Sequence, residues 1–397
     1  MIAVLRSLFL LLILSEVAHA QSGVDVDTQS IRIALKAEPP NLNSLLTTDN
    51  ISGLILSHVM EGLLQYDERN ELAPGVAERW DLRADGATFW LRRDARWSDG
   101  QPVTARDFVF AWRQAVTPAT ASQYASVLFS IKNAERINAG KSDPQSLGVR
   151  AVGDYQLEVE FARPCPYFLG LTAFATYYPV REDFYRQRGE RYAADAGDLL
   201  FNGPFVLSRW DHGAHLTLDK NPHYWNSRAI KLNQIDIPFI TSEAASTFNL
   251  FQDKSIALAQ LNTETLATAV ERNMSLKLFS TAAVYFLEFN FREGRATANV
   301  HLRRAIQAIF SSEQAVNKIV ALPGNKPGIS LFPSTVKGEH GLFRDEYPPK
   351  IPIQNVQIAR AEIEKAKQTL GVQKLPPLVL LINVSTLATK QAVYLQQ

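Results

Sequence analysis

The sequence predicts a chain of mixed strands and helices, α/β or α+β, folded into two or more domains. Three observations carry that expectation. The 397 residues exceed what a single hydrophobic core usually serves. Hydrophobic residues make up 46%, enough to build real cores and too many for a disordered chain. Strand-like and helix-like apolar periods alternate along the whole length, with no repeat at solenoid spacing and no low-complexity linker.

Each element follows from local pattern. In "SIRIALKAEPPNLN", Ile31, Ile33 and Leu35 alternate as a strand that Pro39 and Pro40 break. "SGLILSHVMEGLLQYD" places Leu54, Ile55, His58, Val59 and Leu63 at the spacing of a helix face. "ATFWLRRDARW" alternates Phe89, Leu91 and Arg93, and "YQLEVEFA" puts Leu157, Val159 and Phe161 on one side, so both read as strands. "GPFVLSRWDHGAHLTLDKNPHYW" reads as a hairpin ending in a proline turn. "NVHLRRAIQAIFSSEQAVNKIV" and "QIARAEIEKAKQTLG" are helical, the second stopped by Gly371. "LPPLVLLINV" is an apolar run of the kind buried on both faces of a sheet, and "VSTLATKQAVYLQQ" opens another helix.

The first twenty residues stand apart. Arg6 supplies a basic start, "SLFLLLILSEVA" is apolar but too short to cross a bilayer, and Ala18-His19-Ala20 forms an A-x-A cleavage site. Residues 1–20 therefore read as a signal peptide, and with no cysteine near the cut no lipid anchor is expected. The one cysteine, Cys165 in "RPCPYF", forbids an internal disulfide and reads as a small buried residue between prolines. Basic and acidic residues number 41 and 40, so no global field draws the chain to nucleic acid or an anionic membrane.

The most tightly specified stretch is "WSDGQPVTARDFVFAW", residues 97–112. Ser98-Asp99-Gly100 makes a turn whose glycine can take the left-handed conformation. Thr104 and Asp107 have capping-box spacing. Phe108, Trp112, Ala115 and Val116 form one apolar stripe, which Pro118 ends. Physically this is a rigid strand-turn-helix corner that needs no ligand.

The corner also belongs to a longer pattern. With "MEGLLQYD", "LAPGVAERW", "TPATASQYASVL", "FNGPFVL" and "KNPHYWN", it resembles the periplasmic oligopeptide-binding proteins that serve bacterial ABC importers. The likeness runs from about Glu38 to the last residue. It implies an α/β, periplasmic binding protein type II-like two-lobe fold with an extra small domain and the second lobe incomplete. Lobe I would take residues 22–59 and 185–283, domain II residues 60–184, and lobe III residues 284–397. The family closes its lobes over an extended peptide held by main-chain pairing. That implies an oligopeptide ligand, permease subunits as partners, a monomeric periplasmic protein, and neither cofactor nor catalytic residues.

By the same resemblance, Thr48 and Asn50 line the cleft, Thr48 standing where the family has an acidic residue. Tyr124 matches a cleft tyrosine whose phenol can bond a peptide carbonyl while its ring packs on a side chain. Gln260, Leu261 and Asn262 fall where the family pairs with peptide backbone. Phe286 stands at a cleft tyrosine and has lost the hydroxyl. The family continues beyond "YLQQ", and its aspartate for the peptide α-ammonium lies in that further portion. The expectation is that these 397 residues alone bind peptides weakly or not at all.

Two other classes compete. An enzyme would need a signature such as G-x-S-x-G, a Walker loop or H-E-x-x-H, and none occurs. His212, His215 and His223 cluster in sequence. A spacing of three on a strand turns the first two to opposite faces, so they read as turn and surface histidines. A peptide-sensing or murein-peptide-binding relative would use the same cleft.

Overall fold

The computed structural model describes residues 22–279, 282–351, 353–383 and 385–396, and the signal peptide read at residues 1–20 lies outside them. The chain divides into two compact units, one up to Gln260 and one from Leu261.

The first unit opens with β1 (Val24–Asp25), β2 (Ser30–Leu35), α1 (Asn50–Val59), β3 (Leu64–Tyr66) and β4 (Leu72–Pro74). It continues through β5 (Ala77–Arg83), β6 (Gly86–Leu91), α2 (Ala105–Val116), α3 (Ala134–Asn138), β7 (Val149–Ala151) and β8 (Gln156–Glu160). Then come the short helices α4 (Phe168–Leu171) and α5 (Glu182–Arg188), the strands β9 (Phe205–Asp211), β10 (His215–Lys220) and β11 (Gln234–Ile240), and α6 (Ala244–Gln252).

Two main sheets result. One has five strands in the order β1-β2-β11-β10-β9, the other four in the order β5-β6-β8-β7. The first sheet is started by β1 and β2 and completed only when the chain returns. Its β11 pairs with β2 in parallel, Ile31 opposite Ile235, whereas β9 and β10 form the expected antiparallel hairpin. Parallel neighbours need a crossover, and here the whole second sheet is inserted into it.

The strand-turn-helix corner is the keystone of the second sheet. Gly100 has φ 85°, in the left-handed region. Its N–H donates to the Trp97 carbonyl at 2.8 Å, and the Trp97 N–H donates to the Gln101 carbonyl at 2.8 Å. The Asp107 carboxylate accepts from the Thr104 N–H at 2.8 Å and from the Trp97 indole at 3.3 Å. Phe108, Trp112, Ala115 and Val116 are fully buried, as their spacing demands. Trp112 meets Phe108, Phe168 and Tyr177 edge-on and donates its indole N–H to the Tyr177 carbonyl at 2.9 Å. Cys165 is buried in the same core.

The face of α1 differs from its pattern. Ile55 and Val59 are buried with Ser52 and Leu56, but Leu54 is 43% exposed. The helix stops at Val59, so Leu63 reaches the core from the chain beyond it.

The second unit is helical among its described residues: α7 (Thr263–Glu271), α8 (Val300–Ile309), α9 (Ser312–Gln314), α10 (Phe343–Glu346), α11 (Val356–Leu370) and α12 (Thr386–Gln396). The predicted helix over 299–320 breaks at Phe310; Ser311 caps α9, and Ala315–Val320 winds on as a π-helix. α8 lies against α11; α8 buries Leu302, Ala305 and Ala308, and α11 buries Ala359 and Ala366. His301 Nδ1 and Glu362 meet at 2.7 Å, and Asn299 Nδ2 donates to Thr369 Oγ1 at 2.7 Å. Gly371 ends α11 at φ 68°, as its position predicts.

One expectation fails here. The described part of "LPPLVLLINV" forms no strand and is not buried: Val379 is 86% and Leu381 90% exposed. An apolar run becomes a sheet strand only where neighbouring strands take its N–H and C=O groups. Among the described residues of this unit no strand is present to do so.

Candidate functional site

The loop after β2 is the first element that places predicted ligand residues. Leu42 and Leu45 sink into the core and hold it. Thr47 is buried, donating to the Asn43 carbonyl at 2.9 Å and to Asn41 Oδ1 at 3.1 Å. Asp49 then caps α1, accepting from the N–H groups of Ile51 at 3.0 Å and Ser52 at 2.8 Å. Its neighbours Thr48 and Asn50 are exposed on either side of the cap. The local reason is plain: alternate residues are consumed in anchoring, and those between them are left to solvent.

A second stretch is tied to this loop. Ser122 Oγ donates to the Leu45 carbonyl at 2.5 Å, so the segment after α2 lies against the residues preceding Thr48. Tyr124 stands two residues on, at the start of the 3₁₀ turn Ala125–Leu128. It is half-buried, with its ring edge-on to Phe174 at 5.3 Å. Among the described residues its hydroxyl has no hydrogen-bond partner. Thr48, Asn50 and Tyr124 thus offer neutral hydroxyl and amide groups on two stretches that touch, groups able to bond peptide N–H and C=O.

The remaining predicted positions are not brought to that place by anything described. Gln260 is exposed at the end of the first unit. Leu261 and Asn262 open the second. The Asn262 side chain is already engaged as the cap of α7, accepting from the N–H groups of Glu264 at 3.0 Å and Thr265 at 2.9 Å. Its main chain is engaged as well, the N–H donating to Thr265 Oγ1 at 3.0 Å and the carbonyl accepting from the Leu266 N–H at 2.9 Å, which leaves Leu261 for main-chain pairing. Phe286 is 65% exposed in an extended stretch with Tyr285, which is 91% exposed.

The three histidines separate. His212 Nδ1 meets Glu38 at 2.6 Å and its Nε2 meets Asp195 at 3.1 Å; the Glu38 bond, then that to Asp195, raises its pKa against some loss to burial. His215 pairs with Asp236 at 2.5 Å, and the ring of His223 lies beside Gly100. Among the described residues no group of three His, Cys, Asp or Glu could hold a metal ion.

Two hollows of about 540 Å³ adjoin the first sheet. One lies between Asn41, Leu46, Thr120, Tyr192 and Trp210, behind the loop that carries Thr48. The other lies between the end of β11 and α6, lined by Phe239, Thr241, Ser246 and Asn249. Neither has a motif that sequence reading could have used. Two buried acids were also missed, Glu61 and Asp107: burial pushes the first up to about 7 and the second to about 6. Sequence marks Asp107 only as a cap, and Glu61 not at all.

Comparison with known proteins gives the family. Residues 71–397 match the model of the bacterial extracellular solute-binding proteins, family 5 Middle. An oligopeptide-binding protein of Bacillus subtilis (strain 168) is 34% identical over 383 residues, covering 93% of this chain and 68% of that protein. A probable deoxycholate-binding periplasmic protein of Escherichia coli (strain K12) is 30% identical, covering 85% of this chain and 63% of its own length. The chain therefore spans about two thirds of the length of these relatives.

Among solved structures, the substrate-binding domain of an oligopeptide ABC transporter from Bacillus anthracis superposes with TM-score 0.80 at 32% identity, over 94% of this chain and 72% of that one. A Listeria monocytogenes oligopeptide-binding protein solved with peptide gives TM-score 0.80 at 28% identity, over 93% and 73%. The fold is that of these substrate-binding proteins, and the chain belongs to the bacterial extracellular solute-binding proteins of family 5.

Proposed function

We propose that this protein is the solute-capturing component of a peptide ABC importer, an exported binding protein rather than an enzyme. In this reading it takes oligopeptides from the periplasm and hands them to membrane permease subunits, acting as a monomer without cofactor. The observation that carries the proposal is the 34% identity to an oligopeptide-binding protein over 93% of this chain. Among the described residues no helix is long and apolar enough to cross a membrane, which fits a protein that works beside a permease rather than within the bilayer.

The proposed lobe I comprises residues 22–59 and 185–283, domain II residues 60–184, and lobe III residues 284–397. Thr48, Asn50 and Tyr124 are proposed to bond the peptide main chain. Gln260 and Leu261 would add strand-like pairing, the Asn262 side-chain Nδ2 a donor to a peptide carbonyl, and Phe286 an apolar contact.

The test is thermal unfolding with and without a pool of tri- to pentapeptides. A ligand at about a hundred times its Kd stabilises the folded form by about 2.7 kcal/mol, which raises the midpoint by several degrees. Tyr124→Phe should lower the affinity about tenfold, the worth of one hydroxyl bond. A midpoint shift would overturn the expectation that these 397 residues alone bind peptides weakly or not at all, and absence of any shift with the pool would demote the transport reading.

A narrower ligand has its own support. A periplasmic murein peptide-binding protein of Escherichia coli (strain K12) is 29% identical over 94% of this chain. Competition between a murein tripeptide and an all-L tripeptide would decide between the two ligand ranges.

A further inference from the structure

The end of α1 is the point where the chain leaves the first sheet for the second, and the returning segment 202–225 packs against it. The approach is close. The Gly203 N–H donates to the Val59 carbonyl at 3.0 Å, and a Cβ on Gly203 would lie 2.6 Å from the Met60 nitrogen. Asn202 bonds both sides of the Glu61 peptide, accepting from its N–H at 3.0 Å and donating to its carbonyl at 2.9 Å.

The Glu61 side chain enters this junction and is buried. Its Oε1 lies 2.6 Å from the Tyr224 hydroxyl, and its Oε2 accepts the Trp225 indole N–H at 2.8 Å. Arg92 stacks over the ring of Trp225, its Cζ 3.3 Å from the ring centroid, with its Nε bonded to the Gly75 carbonyl. The titratable groups facing Glu61 are Arg92, Tyr224 and Tyr178. Both tyrosines are held protonated, first by burial and then by the Glu61 charge.

We propose that Glu61 is a proton-responsive fastener between α1 and the returning segment, taking up one proton from solvent without leaving its cage. The donors on its two oxygens make this possible. An indole N–H can only donate, so Oε2 is the acceptor in both states and the added proton resides on Oε1. A phenol can donate or accept. Tyr224 donates to the carboxylate and can turn to accept from the carboxylic acid, so both states keep a bond on Oε1.

The setting matches the chemistry. Burial drives the carboxyl up to about 7, and the bonds from Tyr224 and Trp225 and the charge of Arg92 draw it partly back. An unfolded glutamate ionises near 4.5, so between that value and about 7 the folded chain holds a proton that the unfolded chain has lost. Stability from this group is therefore greatest in acid and falls as pH rises to neutrality. The unfolding constant should rise about three-hundredfold over that window.

Infrared difference spectra between pH 5.5 and 8.5 test the proposal directly. The wild type should show a protonated-carboxyl C=O band that disappears near pH 7. Glu61→Gln should lack the band near pH 7, keeping only that of Asp107 near 6, and should lose most of the decline of Tm above pH 6. Asp107→Asn, which removes the other raised acid, should keep the band near pH 7. Tyr224→Phe removes a bond to the carboxylate and should move the midpoint upward, which serves if Glu61→Gln does not fold. A wild-type spectrum with no band titrating above pH 6, or one whose band near pH 7 survives in Glu61→Gln, overturns the proposal.

Discussion

The two units place comparable apolar sequence in opposite environments. In the first, Phe89, Leu91, Leu157 and Val159 sit on paired strands and are buried. In the second, "VYFLEF" and "LVLLI" have similar composition and no strand partner among the described residues, and they lie exposed. The helices of both units are nonetheless well formed. Helices satisfy their hydrogen bonds within one segment, whereas strands borrow theirs from another. A helix is therefore indifferent to whether the rest of a sheet is present, and a strand is not.

The strongest way to break this comparison is to truncate one aromatic in each unit. Trp112→Ala removes a fully buried ring with three aromatic neighbours and orphans the Tyr177 carbonyl. Urea unfolding should show a loss of about 3–5 kcal/mol in the first unit's transition. Phe286→Ala should stay within about 0.5 kcal/mol, because that ring has no core to leave. Equal costs would mean that Phe286 is packed in solution.

Hydrogen exchange sharpens the same contrast one segment at a time. Amides of β6 and β8 should exchange at least about a thousandfold more slowly than those of residues 282–290 and 378–383. Slow exchange in the second pair would reveal a ladder partner for those apolar runs.

The smallest effects should be the same in both units. Asp49→Ala uncaps α1 and Asn355→Ala uncaps α11, where Asn355 accepts from the N–H groups of Gln357 and Ile358. Each should cost about 1 kcal/mol, measured by thermal unfolding. A cap acts on its own turn, so a large difference between the two would show that helix ends here depend on distant packing.

Much of the fold was legible because it rests on local chemistry. The 97–112 corner, the 205–220 hairpin and the stop at Gly371 each depend on residues within a few positions of one another. Leu54 misled because its spacing fits a helix face, while the face that is buried is set by what packs there. Tyr124 and Asn50 are displayed beside anchoring residues, but Asn262 proved to be a helix cap, a role its sequence "NTET" equally permits. Glu61 carried no signal at all, since its partners lie 141 to 164 residues away.

The amino-acid sequence by itself determined the helix ends, the tight turns, the strand candidates and the balance of charge, since these follow from torsional preference and near-neighbour hydrogen bonding. Tertiary structure alone decided which apolar runs become strands, which face of α1 is buried, and that Glu61 is enclosed by Tyr224, Trp225 and Arg92. The reason is physical: burial and strand pairing are properties of two segments at once, and one segment cannot declare its partner.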